Sequence, residues 1–230
     1  MAGSLFRDDG FTVPVHAMPD DLPEGPWLTR RQIEESGALN GHEICWVSDS
    51  LDLFFMQVQG SGRVRLADGR VIRLGFAGRN GQPYHSIGTE LIARGVCPAA
   101  QMSMQVIRDW AAQHPEAVQS LLWCNPSYVF FREMGGIAPE QGPIGALGVS
   151  VTPLRTLAVD PLHIPMGAPV WIETAGLRRL MVAQDTGSAI KGPERADVFC
   201  GTGAEAGAQA GAMRDRGRMF ALLPRAMTGL

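Results

Sequence analysis

Residues 179–203 read RLMVAQDTGSAIKGPERADVFCGTG, and the reading of the whole chain depends on this stretch. Leu180-Met181-Val182-Ala183 is a short apolar run of the length expected of a buried strand. It ends in Gln184-Asp185-Thr186-Gly187-Ser188, an acid in a tight turn. A basic, glycine-flanked segment containing Lys191 follows, and a second acid, Asp197, precedes the apolar pair Val198-Phe199. Carboxylates placed where strands leave a core are partly desolvated, which raises their pKa and suits them to proton transfer. A plainer reading stands beside this one, because Asp in a D-x-G turn caps its own backbone.

Outward from this stretch, the C-terminal half reads as short strands at close spacing: Thr156–Val159, Val170–Glu173, Leu180–Ala183, Val198–Phe199 and Met219–Leu223. Five such strands with glycine turns predict a small barrel. A helix over Gly203–Asp215 carries Ala204, Ala206, Ala208, Ala210 and Ala212, small residues expected to pack against that barrel. The acids that flank these strands are Asp160, Asp185 and Asp197. Three convergent carboxylates fit either a divalent cation or a proton-transfer site, and the close D-x-D spacing that would favour the cation is missing.

Upstream, residues 8–27 hold four prolines and five acids without periodicity and read as an extended surface segment. Thr29 is placed to cap a short helix, Arg30–Ser36, ended by Gly37. Glu43–Val47 and Asp52–Gln59 (DLFFMQVQ) read as strands. Arg63–Leu74 is the clearest hairpin, with Asp68-Gly69 as its two-residue turn. Helices are expected over Thr89–Arg94, over Met104–His114 with Ser103 as its cap, and over Pro115–Trp123. A strand, Val129–Phe131, then precedes a Gly- and Pro-rich boundary at Met134–Gly148.

Composition narrows the function classes. The 230 residues include 28 Gly and 16 Pro, which favours short strands and tight turns over long helices. A formal charge of -3 with no Lys/Arg cluster argues against a nucleic-acid partner. The cysteines, Cys45, Cys97, Cys124 and Cys200, show no zinc spacing and are expected as buried free thiols. No apolar run approaches the ~18 residues of a membrane helix, and the N-terminus has no apolar signal core. A Ser-His-Asp site has loop serines available in Ser61, Ser86 and Ser127, but none sits in a G-x-S-x-G elbow.

Seven segments together resemble a bacterial family, the lytic murein transglycosylases of type A. They are FFMQVQGSG (54–62), NGQPYHSIG (80–88), MSMQVIRDW (102–110), NPSYVFF (125–131), AVDPLHIPMG (158–167), AQDTGSAIKG (183–192) and ADVFCGTGAEAGAQAG (196–211). The C-terminal part is similar to the domain named for three aspartates, here Asp160, Asp185 and Asp197. The resemblance implies a mainly β fold, a double-psi β-barrel (residues 139–230) with a smaller β-rich domain inserted (residues 1–138). It implies cleavage of the β-1,4 bond between N-acetylmuramic acid and N-acetylglucosamine with a 1,6-anhydro product. Asp197 would be the acid and then the base, with Asp185 and Asp160 as supporting acids.

By the same resemblance Gln59, Ser61, Tyr84, Ser86, Ser103, Gln105 and Lys191 would bind the sugar. No metal and no cofactor would be needed. The partners would be peptidoglycan glycan strands and other cell-wall enzymes, in the periplasm at the outer membrane. Family members carry a longer N-terminal portion with a signal and, in membrane-bound members, a lipid anchor. This chain starts after it, so an incomplete barrel is expected. The alternative is a non-catalytic module that binds peptidoglycan without cleaving it.

Overall fold

The computed structural model describes residues 1–135, 142–187 and 189–224. The chain is mainly β, with two sheets and minor helix, and divides into two compact units, Met1–Gly136 and Ile137–Leu230. The boundary expected at residue 138, and most of the first half of the expected Met134–Gly148 linker, lie outside the described residues.

The first unit contains β1 (Ala2–Ser4), β2 (Val13–His16), α1 (Arg30–Ser36), β3 (Glu43–Val47), α2 (Ser50–Gln59), β4 (Ser61–Leu66), β5 (Val71–Arg79), α3 (Ile87–Ala93), α4 (Met104–Gln113), α5 (Pro115–Trp123) and β6 (Val129–Glu133). The strands form one sheet in the order β2-β3-β1-β4-β5-β6, and a bridge from Ala17 to Phe131 ties its two ends. Local chemistry sets the helix ends. Thr29 and Gln32 form a reciprocal capping box at α1, and Gly37 closes it in the left-handed region at φ 69°. The β4–β5 hairpin forms where the sequence places it, but its loop has three residues, Ala67-Asp68-Gly69, instead of two: the Leu66 N–H donates to Arg70 O, the Gly69 N–H donates to Leu66 O, and Gly69 takes the left-handed position at φ 84°.

Two expectations fail in this unit. Asp52–Gln59 is helical, not a strand: Asp49 accepts a bond from the Asp52 N–H, and Gly60 closes the helix at φ 73°. Leu53 and Met56 of α2 face a core of Val15, Cys45, Val47, Val64, Leu74 and Phe131, whereas Leu51 and Phe54 face a second core with Ile87, Leu91, Ile107 and Leu121. A helix clamped between two cores is apolar on nearly all sides, so its sequence loses the one-sided period that marks a helix. Close packing leaves no room at Gly62, where a Cβ would run into Met56 Sδ. Residues 8–27 are not all an extended surface segment either. Val13–His16 pairs with β3, and Val15 is fully buried. Pro14 is tolerated because β2 is an outer strand of the ordered sheet.

The second unit contains β7 (Thr156–Val159), β8 (Pro169–Thr174), β9 (Arg178–Asp185), β10 (Ala196–Val198), α6 (Ala204–Ala212) and β11 (Gly217–Ala221). All five expected strands are present, in one sheet of order β10-β7-β9-β8-β11. Only β7 and β9 run parallel. The sheet is open, a half-barrel with β10 and β11 as its outer strands. Leu157, Val159, Val170, Ile172, Met181 and Ala183 form its core. Helix α6 corrects another expectation: Ala208, Ala210 and Ala212 are exposed instead of packed.

All four cysteines are free, and only Cys45 is buried; burial pushes its thiol up to about 11. Cys97, Cys124 and Cys200 are half-buried, contrary to expectation. Among the described residues, no helix is long and apolar enough to cross a membrane.

Candidate functional site

The three aspartates gather around one end of β7. Along β7, Leu157 and Val159 point into the core, so Ala158 points to the opposite face. On one side, β10 places Asp197 in register with Ala158, while Ala196 and Val198 pack toward the core. On the other side, the simple alternation of β9 would put Gln184 opposite Ala158. A register shift between Leu157 and Ala158 makes Gln184 the extra residue, and Asp185 falls opposite Ala158 instead. Such a bulge re-aims a side chain to the other face of a sheet. Asp197 and Asp185 therefore bracket Ala158 in one row, their α-carbons about 10 Å apart at two strand spacings.

Asp160 lies two residues beyond Ala158, where β7 ends, and is 3% exposed. Its Oδ2 accepts the Gly192 N–H at 2.9 Å and its Oδ1 the Leu162 N–H at 3.2 Å. The Gly192 bond is the largest influence on this carboxyl and holds it below the usual Asp range. Desolvation opposes that, and Leu162, Lys191 and His163 add to it. This corrects the expectation that a strand-end acid here would have a raised pKa: hydrogen bonds to the charged form outweigh burial. Asp160 is thus a fixed negative charge that ties the 191–192 loop to the end of β7. Exposed Lys191 takes its place as a neighbour of Asp160.

Asp185 is half-buried, and its Oδ1 accepts the Ala146 N–H at 3.0 Å, so it also anchors a loop. Asp197 is open: its side chain is 52% exposed and ion-paired to Arg195, whose Nε and Nη2 both lie 3.0 Å from Oδ1. The expected desolvation of Asp197 is absent from this face. Sequence reasoning passed over Arg195, although its position two residues before Asp197 on an extended segment puts both on one face. Gln184 was missed as well; its Oε1 accepts a 2.6 Å bond from Thr156 Oγ1, beside the bulge. Ser188, in the turn after Asp185, lies outside the described residues. Among the described residues, no three His, Cys, Asp or Glu side chains converge as a metal would need.

The remaining candidates belong to the first unit. Gln59 ends α2, exposed, and Ser61 begins β4 opposite Gly75. Ser86 caps α3 and Ser103 caps α4, their hydroxyls accepting the Thr89 and Val106 N–H groups at 3.3 Å. Gln105 donates to Asp109 at 2.8 Å. Tyr84 is half-exposed; partial burial pushes its phenol up, against a bond to Ser86. The segment carrying Tyr84 and Ser86 is held from below by two buried amides. Asn80 donates to Leu28 O and Pro126 O, and Asn125 accepts the His85 N–H at 3.0 Å.

Comparison with known proteins bears on both units. A family model described as "MltA specific insert domain" matches residues 1–132, and one described as "3D domain" matches residues 155–223. The membrane-bound lytic murein transglycosylase A of Escherichia coli K12 is 39% identical over 94% of this chain. The chain spans 61% of that relative's length. A crystal structure of a membrane-bound lytic murein transglycosylase from Agrobacterium tumefaciens is similar with a TM-score of 0.90 and 36% identity, over 99% of this chain and 72% of that one. The structure of E. coli MltA with bound chitohexaose is similar with a TM-score of 0.85 and 35% identity, over 96% of this chain and 68% of that one.

Proposed function

The chain belongs to the MltA family of lytic murein transglycosylases, and from this premise we propose that it is a peptidoglycan lyase that uses Asp197 as a single acid and base. It cleaves the β-1,4 bond between N-acetylmuramic acid and N-acetylglucosamine and leaves a 1,6-anhydro sugar. The observation that carries this reading is the bulge that sets Asp185 and Asp197 in one row, astride Ala158, at an open sheet face. Its substrate is a glycan strand of the cell envelope, in keeping with the chitohexaose held by one relative and the membrane-bound name of another.

One mobile acid suffices for this chemistry. Ordinary glycosidases divide the work between two carboxyl groups because a water or an enzyme nucleophile must also be handled. Here the muramic acid's own C6 hydroxyl attacks C1. The nucleophile is tethered, and good tethering is worth roughly 7–11 kcal/mol of the barrier. Asp197 gives its proton to the departing O4 and then, as carboxylate, accepts the C6 proton, so no proton is gained or lost over the cycle. Asp185, bonded to Ala146, keeps its loop in place, and Asp160, held ionised by Gly192 and Leu162, does the same and supplies fixed negative charge near C1 as positive charge develops there. In the first unit, Gln59, Ser61, Tyr84, Ser86, Ser103 and Gln105 offer the neutral donors and acceptors that a sugar requires.

The test is digestion of purified peptidoglycan with mass-spectrometric analysis of the products. Wild type is expected to release anhydro-muropeptides, and Asp197→Asn to release them at least ~10²-fold more slowly with its fold unchanged. Retention of more than about a tenth of the wild-type rate would transfer the acid role to Asp185. Unchanged sacculi that retain wild-type protein would make the chain a binding module instead.

A further inference from the structure

Resting on the peptidoglycan reading above, we infer that Arg195 is a substrate-reading residue: it pairs with Asp197 while the site is free and exchanges onto a carboxylate of the bound substrate. Asp197 is then released for proton transfer.

The geometry of the pair points this way. Both of its bonds, from Nε and from Nη2, go to the same oxygen, Oδ1, at 3.0 Å. Among the described residues Oδ2 receives no hydrogen bond. A guanidinium fork is matched to the two oxygens of a carboxylate, so a single-oxygen contact leaves that match unmet. Both side chains are half in solvent, at 55% and 52% exposure, and exposed pairs of this kind are weakly held. The pair sits at the start of β10, an outer strand of its sheet.

The other two aspartates of this face are held by backbone N–H groups. Asp160 is bonded to Gly192 and Leu162 with Lys191 beside it, and Asp185 is bonded to Ala146. Glu194, the residue before Arg195, cannot serve an anion. Arg195 is therefore the cation that holds Asp197 directly, with Lys191 beside Asp160, and an anionic ligand arriving at Arg195 competes with Asp197.

Murein carries carboxylates in two places: on the lactyl ether of muramic acid when its peptide has been removed, and on the stem peptide when it has not. Chitohexaose carries neither. Exchange of Arg195 onto either group would couple recognition of murein, as distinct from a neutral chitin-like chain, to readiness of the acid.

Equilibrium binding separates these outcomes without requiring turnover. The ligands are chitohexaose, peptide-stripped murein glycan and intact muropeptides, each titrated into wild type, Arg195→Gln, Asp197→Asn and the double variant. Arg195→Gln is expected to weaken a carboxylate-bearing ligand about two- to fivefold, the scale of an exposed ion pair, and to leave chitohexaose unaffected. Asp197→Asn is expected to tighten the same ligand by a similar factor, because its competitor for Arg195 is gone; the double variant should show no gain. A response confined to stripped glycan assigns the lactyl carboxylate, and one confined to intact muropeptides assigns the stem. Equal changes for all three ligands, or no tightening in Asp197→Asn, would overturn the exchange while leaving the peptidoglycan reading standing. Failure of wild type to bind any of the three would overturn both.

Discussion

Acid should unfold the first unit through His16. This ring is 8% exposed, sits at a bulge in β2, and holds Tyr128 by a 2.8 Å bond between Nδ1 and the phenol oxygen. Tyr128 is itself fully enclosed, with the Arg30 guanidinium 5.1 Å from its ring centre. Burial lowers the His16 pKa from 6.5 to about 4; Glu43 on β3 pulls it up without offsetting the desolvation, and neighbouring His42 pushes it further down. The folded state therefore refuses a proton that the unfolded chain accepts. At neutral pH and above His16 is uncharged in both states and contributes nothing to pH dependence. As pH falls below 6.5 the unfolded state gains, until the folded pKa is reached.

At 1.36 kcal/mol per unit, the full loss is about 3 kcal/mol near pH 4, and about 2 kcal/mol is already gone at pH 5. The assay is urea unfolding followed by tryptophan fluorescence at pH 7.5, 6 and 5, for wild type and His16→Asn. The asparagine can keep the bond to Tyr128 but cannot titrate. Wild type should lose about 2 kcal/mol more than the variant between pH 7.5 and 5. Parallel stability curves for the two proteins would refute the argument and mean that His16 is solvated or relaxes on protonation.

Asp160→Asn should lower the stability of the second unit and speed hydrogen exchange at Gly192, since an amide cannot accept both the Gly192 and Leu162 bonds. Because the Asp160 pKa is depressed on folding, its contribution is present above the ordinary Asp range near 3.9 and fades as pH falls through the lower folded value. A wild-type advantage that persisted unchanged to pH 2 would contradict this. Gly62→Ala should cost about 1–3 kcal/mol by driving a methyl into Met56. Combination with Met56→Ala should be less damaging than the sum of the single variants, and strict additivity would show that the two residues do not touch.

Much of this protein was legible from local signals. Thr29 and Gly37 bound α1, Asp68 and Gly69 mark the place of the β4–β5 hairpin loop if not its length, and Ser103 caps α4, because caps and tight turns are satisfied by residues a few positions away. Short apolar runs at close spacing and glycine punctuation were enough to locate all five strands of the second sheet. The three aspartates were legible as acids at strand ends, and the seven matching segments as a family pattern.

What escaped the sequence were properties set by partners distant along the chain. Asp52–Gln59 looked like a strand because a helix held between two cores has no polar face to reveal its period. Val13–His16 looked like part of an extended surface segment because its proline and flanking acids hide a strand that only pairing with β3 defines. Ala208, Ala210 and Ala212 of α6 promised packing, and this structure leaves them exposed. In the candidate site the sequence supplied Asp160, Asp185 and Asp197 but not their states. A one-residue bulge decides that Asp185 shares a row with Asp197, a backbone N–H from position 192 decides that Asp160 stays charged, and an open outer strand decides that Asp197 meets Arg195 and water. Residue type determines which groups can carry a proton; their register, hydrogen bonds and exposure are settled only when strands from different parts of the chain are laid side by side.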